Sequence, residues 1–385
     1  MRRRTKRALW GVAAVAVVVV AIGLWVFRGA LVAFGPSALS GGDAQVEALT
    51  LPDGFSIAVY ADDVEGARSL ALGAGGTVFV GSRDPGKVYA LVDDDEDGRA
   101  DRTLTVASGL DSPNGVAFRD GALYVAEISR VLRYDDIEAR LDDPPAPAVV
   151  RDDLPDEGHH GWKFIAFGPD GQLYVPVGAP CNVCARDDER FAAILRMPPD
   201  GSDVEVFARG VRNTVGFDWH PDTGELWFTD NGRDLMGDDR PPDELNHAPR
   251  AGLHFGFPSC HGRVPDPDHR ERTCAETRAP EIEFPAHVAP LGMRFYDGDA
   301  FGDRYRGGVF VAQHGSWNRT TPIGYRVVFV PFEGGRPGEP ETFVDGFRGD
   351  RPVAWGRPVD VQVLRDGSLL ISDDKSGAVY RVTRS

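Results

Sequence analysis

Positive charge is scarce in this sequence. Its 42 Lys and Arg residues stand against 59 Asp and Glu over 385 residues, a formal net charge of −17. A phosphate backbone is repelled by such a field, which argues against a nucleic-acid partner. A compact anionic ligand stays open, provided that its pocket is locally basic. Cysteine is nearly as scarce, with four residues in two close pairs, Cys181/Cys184 and Cys260/Cys274. The stretch CNVCA lacks the histidine that follows a haem attachment site, and no histidine stands at zinc-ligand spacing. Four cysteines allow three pairings, of which the local one is the simplest, and disulfides fit an oxidising compartment. Also missing is any long amphipathic helical pattern after residue 45, which argues against a helical or mixed α/β domain.

What is present begins with a basic tip, MRRRTKR, and an uninterrupted apolar run, Ala8 to Phe27. At about 1.5 Å per residue these residues span a ~30 Å hydrocarbon core. Trp10 and Trp25 stand near its two ends, as interfacial anchors do. The expectation is a signal-anchor over 1–28 with the rest of the chain outside the cytoplasm, and a linker over 29–45. A cleaved signal peptide is the alternative, since PSALSGG offers small residues.

One unit then recurs six times: an apolar strand, a Gly or Asp-Gly turn, and a second apolar strand. It reads as residues 69–82, 115–127, 164–178, 215–232, 292–315 and 360–374. Asp-Gly between alternating apolar runs marks a hairpin. Six units of about four strands predict an all-β, six-bladed β-propeller over 46–385, rather than a β-sandwich. FSIAVYA (55–61) is expected to add a strand to the last blade beside the C-terminal AVYRVTR and so fasten the ring.

In a propeller, loops at equivalent points of the repeat converge near the axis. Just before the first strands stand Arg68, Asn114, His159 with His160, Arg212 with Asn213, and Arg357. Just after the second strands stand Asn231-Gly232-Arg233, His314 and Asp373. A lone Arg or His in a loop is ordinarily a solvated side chain. Several at equivalent positions predict a cationic pocket in an acidic protein, suited to a compact polyanion. A second candidate is VDDDEDGRADR, where Asp93, Asp95, Asp97 and Asp101 follow the spacing of a calcium loop, without the Glu that closes it. Its plain alternative is an acidic solvated turn.

These stretches resemble the pyrroloquinoline quinone (PQQ)-dependent glucose/sorbosone dehydrogenases, six-bladed quinoproteins. The likeness covers roughly 45–384 and rests on His159 to Lys163, VRN at 211–213, TDNGRD with DDRPPDELN at 229–246, and GRPVDV at 356–361 before ISDD. The resemblance implies His159 as general base, four residues before Lys163, with Arg212 over the quinone carbonyl. It implies cofactor contacts from Arg68, Asn114, His160, Lys163, Asn213, Asn231, His314, Arg357 and Asp373. It implies a PQQ-linked Ca2+ held by the backbone carbonyls of Gly232 and Arg233. The substrate would be an aldose sugar or related alcohol, and electrons would leave to a membrane quinone or an exported cytochrome. Gly158 and Ala179 replace acids that the family carries beside its base. The rival reading is a calcium-dependent lactonase or esterase on a similar ring, which DSPNGVAF (111–118) resembles. Such a hydrolase needs converging carboxylates, whereas this converging set is rich in Arg and His.

Overall fold

A computed structural model describes residues 45–351 and 353–385. The expected N-terminal anchor and nearly all of the linker lie outside the described residues. Among the described residues no helix is long and apolar enough to cross a membrane. Helical structure there is confined to three short 3₁₀ turns, the longest Ile137–Arg140.

Six antiparallel sheets follow one another along the chain. Blade 1 is Leu70–Leu72, Val78–Val80, Val88–Val92 and Arg102–Ala107; blade 2 runs from Gly115–Arg119 to Ala148–Arg151. Blade 3 opens with Ala166–Phe167, blade 4 with Phe217–Trp219, blade 5 with Pro290–Phe295 and blade 6 with Pro358–Val363. The tandem hairpins form where the repeat placed them. Gly171 in the Pro-Asp-Gly turn takes φ +77, a conformation open to glycine and strained for other residues. The ring closes as expected: Phe55–Ala61 pairs antiparallel with Ala378–Arg384, from Phe55 opposite Arg384 to Ala61 opposite Val379.

The core is divided among the blade interfaces. Six apolar clusters lie one between each adjacent pair, such as Phe79, Val88 and Val106 against Val116, Leu123 and Leu132 between blades 1 and 2. Strands covered on both faces read as near-continuous apolar runs, which is why the second strands (VFV, LYVPV, LWFTD, VFVAQ) show little polar alternation. A small seventh cluster of Val215, Leu291 and Val359 sits on the axis, with Trp162 packed on it.

One element departs from the repeat. The segment between the third and fourth strands of blade 4 runs back over blade 3, where Leu253–His254 pairs parallel with Glu205–Arg209. The same insertion holds the ribbon of Cys260–His261 with Val264–Pro265 and the disulfide Cys260–Cys274. The other disulfide is Cys181–Cys184, so both local pairings form.

Candidate active site

Inner-strand ends from all six blades surround the axis at one end of the ring. There they enclose a cavity of about 210 Å³, lined by residues of blades 1, 3, 4, 5 and 6. Pockets for small molecules run to ~300–1,000 Å³, so this one suits a compact ligand. Its floor is the apolar axial cluster, with Leu291 exposed to the cavity and Trp162 standing on that cluster.

The polar wall is mainly cationic. Arg68, Arg212 and Arg357 come from blades 1, 4 and 6 and are 2, 3 and 5 % exposed. Burial is the main influence on all three and pulls each below its usual pKa, Arg68 to about 10, but not far enough to discharge it at neutral pH. Arg68 Nη1 donates to Asp374 at 2.7 Å and its Nε to Asn114 Oδ1 at 2.5 Å. Arg357 Nε and Nη2 donate to the carbonyls of His314 and Gly315 at 3.0 and 2.9 Å. Arg212 donates through three nitrogens, to the Asn182 carbonyl (2.9 Å), the Asn231 carbonyl (3.0 Å) and Asn182 Oδ1 (2.9 Å).

Two imidazoles join them. His160 Nδ1 lies 2.9 Å from the Ala179 carbonyl. A carbonyl can only accept, so Nδ1 carries the proton and Nε2 is left with its lone pair. Burial, then Arg212 and His159, hold the pKa of His160 well below 6.5, so it is neutral at pH 7. His314 Nε2 donates to Asp374 at 2.8 Å, and burial lowers its pKa to about 4. Burial opposes ionisation of Asp374, yet His314, Arg68 and Arg357 hold it below the usual carboxylate range.

The structure redistributes the residues named from sequence. Arg68, His160, Arg212, Asn213, Asn231, Gly232, His314 and Arg357 all line the cavity. His159 does not; it is exposed, with its ring centroid 4.1 Å from that of His160. His160, at φ +52, lines the cavity while its neighbour stays outside it. Gly178 makes room for it, since a Cβ there would stand 2.5 Å from the His160 Cβ.

Lys163, Asn114, Asp373 and Arg233 do not line the cavity. Lys163 is fully buried below the cavity wall, its Nζ donating to the Gly161 carbonyl at 2.8 Å, with its pKa lowered by burial to about 8. Asn114 lies behind Arg68 and also donates to the Lys163 carbonyl at 2.9 Å, so it braces the wall. Asp373 is buried as well: its Oδ1 accepts the Arg357 and Lys375 N–H groups at 2.9 Å, and the acid that reaches Arg68 and His314 is its neighbour Asp374. Arg233 turns its side chain away to Asp266 at 2.5 Å, although Gly232 faces the cavity. Among the described residues neither the Gly232 nor the Arg233 carbonyl accepts a hydrogen bond. In the acidic turn, carboxylate oxygens of Asp93, Asp95 and Asp101 come within 4.8 Å of one another, but Asp97 is outside the group and caps the Arg99 N–H.

Sequence reasoning missed Arg83, Trp162, Asp234, His287, Trp317 and Asn318 on the wall. Arg83 stacks over Trp162, its guanidinium carbon 4.0 Å from the ring centroid. Arg83 follows the second strand of blade 1 as Asn231 to Arg233 follow that of blade 4, so completing the repeat would have found it. Trp317 and Asn318 lie in the loop over 314–325 that joins the second and third strands of blade 5, where no motif marked them.

The ring and its axial cavity define a six-bladed propeller with a built cationic site that holds a neutral imidazole. The Glucose / Sorbosone dehydrogenase family profile matches residues 131–316, and a TrAA12-like profile matches 262–385. An uncharacterized protein of Borreliella burgdorferi is 31 % identical over 355 residues, covering 87 % of this chain and 90 % of that one. A pyrroloquinoline quinone-dependent pyranose dehydrogenase of Coprinopsis cinerea is 33 % identical over 128 residues, 27 % of this chain and 16 % of that protein. The holo PQQ domain of a pyranose dehydrogenase from the same fungus superposes with a TM-score of 0.73 at 20 % identity, over 87 % of this chain and 97 % of that one. Over residues 131–316 the chain carries the glucose/sorbosone dehydrogenase domain, on the six-bladed propeller that its structural neighbours share.

Proposed function

We propose that the chain oxidises an aldose sugar or related alcohol with PQQ and calcium as cofactors. The observation that carries this reading is the convergence of three buried arginines from three blades on one small cavity that also presents a neutral imidazole. The donor set fits the group. Arginine suits carboxylates, and the apolar floor under Trp162 suits a planar ring. Trp162 Nε1 and Asn318 Oδ1 are buried at the wall with no protein partner among the described residues, and so are available to a ligand.

Arg68 and Arg357 would hold the carboxylates of PQQ, with His314 bracing Asp374 beside Arg68, Arg212 with Asn213 and Asn231 would hold its quinone end, and the Gly232 and Arg233 carbonyls the calcium ion. When bound, PQQ supplies a two-electron quinone acceptor and calcium a Lewis acid beside it. The chain's own part is to bind, to polarise and to move one proton. His160 is placed to take the proton of the sugar hydroxyl at Nε2, because the Ala179 carbonyl fixes its tautomer and its low pKa keeps it neutral. The spacing from Lys163 pointed to His159 for this role; burial and the inward turn favour His160, with His159 at the rim. Arg212 would stabilise negative charge at the quinone end without having to reorganise. No haem attachment motif is present, so electrons pass to a separate acceptor, a membrane quinone or an exported cytochrome.

The test is direct. The full-length chain is supplied with PQQ and Ca2+, and aldoses are screened by dye reduction and by bleaching of the bound quinone spectrum. Sugar-dependent reduction that vanishes without PQQ is expected. Hydrolysis of lactones in the absence of quinone, with no dye reduction, would reject the reading in favour of the hydrolase.

A further inference from the structure

The guanidinium of Arg212 is oriented more by an asparagine than by any acid. Among the described residues its one ion pair is with Asp234, at 3.3 Å. Asn182 meets it twice, through its carbonyl on Nε and its Oδ1 on Nη2, both at 2.9 Å. The same Oδ1 accepts the Asp234 N–H at 2.8 Å, and Nδ2 donates to the Asp234 carbonyl at 3.2 Å. Asn182 therefore ties three things together: the plane of Arg212, the turn that follows the second strand of blade 4, and its own loop. That loop is closed by Cys181–Cys184, which flank Asn182.

We propose that Asn182, held in place by the Cys181–Cys184 disulfide, is the positioning residue for Arg212. A free arginine side chain samples many rotamers, and its fork must be held if it is to meet charge that develops at one place. Two acceptors on one residue define the plane of that fork as a single carboxylate oxygen at 3.3 Å does not. A disulfide across so short a loop adds the least to global stability by loop closure. What it does is fix the direction of the Asn182 carbonyl and side chain. The second disulfide acts from the other side of the same turn: its loop carries Asp266, which holds Arg233 at 2.5 Å. The turn over residues 231–234 is thus gripped between two covalently closed loops.

The kinetic consequence rests on the reading of the cavity given above, so the test has an arm that does not. His159 and His160 both lie in the field of Arg212, with Asp234 acting on His159 in the opposite sense. Their imidazole proton resonances are titrated in the full-length parent, in Asn182→Ala, in Asn182→Asp and in Cys181→Ser/Cys184→Ser. In Asn182→Ala and in the cysteine variant the two imidazoles are expected to titrate at higher pH than in the parent, as Arg212 leaves its place. PQQ-dependent sugar turnover should fall about 10²-fold in kcat, the scale of a misplaced catalytic group. The thermal midpoint should barely move. Asn182→Asp keeps the acceptor and should restore turnover toward the parent, while its added negative charge keeps the imidazole titrations above the parent values. Imidazole titrations that stay at the parent values in Asn182→Ala overturn the proposal, whatever happens to turnover. So does a loss of turnover that tracks a loss of thermal stability without rescue by Asn182→Asp. If the parent itself shows no PQQ-dependent turnover, the functional reading fails, and the titration arm still decides the role of Asn182.

Discussion

At the scale of single residues, the site separates two adjacent histidines by one backbone angle. His160 turns inward at φ +52 and is buried, while His159 stays exposed. His160→Ala is therefore expected to retain PQQ binding and lose about 10²–10⁴-fold in kcat, the usual contribution of a general base. His159→Ala should cost far less; steady-state kinetics of the pair, with PQQ affinity measured by tryptophan quenching, check both. The pH profile follows from the same burial. A base must be neutral to act, and the pKa of His160 lies well below 6.5. The acid limb of kcat/KM should accordingly fall below pH 6.5, with a plateau through neutrality. A limb centred at 6.5 or above would assign the base elsewhere. Arg357→Ala removes a buried charge from the carboxylate end of the cavity, and equilibrium titration should show weaker PQQ binding with the sugar KM little changed. Arg68, Arg212, His314 and Arg357 were legible in sequence because the repeat set them at equivalent points. His160 was legible as a neighbour, but its inward turn is a property of the folded backbone. Asp374 was overlooked in favour of Asp373 because two adjacent acids at a strand end look alike until one of them is seen capping backbone N–H groups.

At the scale of elements, buried acids tie one blade to the next. Asp360 on blade 6 accepts the Leu70 N–H of blade 1 at 2.8 Å, and Asp218 on blade 4 accepts the Phe295 N–H of blade 5 at 2.8 Å. Burial raises the pKa of Asp360 to about 6. Asp360→Ala leaves a buried donor without a partner and should destabilise the ring by about 1–3 kcal/mol, as read by chemical denaturation. Activity at low denaturant should change little. Strand order, hairpin turns and the six repeats could be read from the chain because apolar runs and Asp-Gly turns are local signals. The parallel pairing of Leu253–His254 on the neighbouring blade could not, because two residues carry no periodicity and the pairing depends on where the insertion folds back.

At the scale of the molecule, the ring is fastened by its own ends. Phe55 in the first strand packs against Phe301, Tyr305 and Phe343 of blade 5, with centroids at 4.9, 5.3 and 5.1 Å. Phe55→Ala should lower stability by roughly 2–4 kcal/mol, since a large aromatic is lost from the closing seam. A matching drop in the denaturation midpoint is the expected result, and a neutral change would mean that the seam does not carry the closure. The sequence by itself determined the number of blades, the strand that closes them and most of the cationic residues. Each of these is written in local pattern or in repetition at a constant phase. Only the tertiary structure decided which of those residues reach the axis and which brace it from behind. The phase of a repeat sets which end of a blade a residue occupies, but the direction of its side chain depends on backbone angles and on neighbours more than a hundred residues away in the chain.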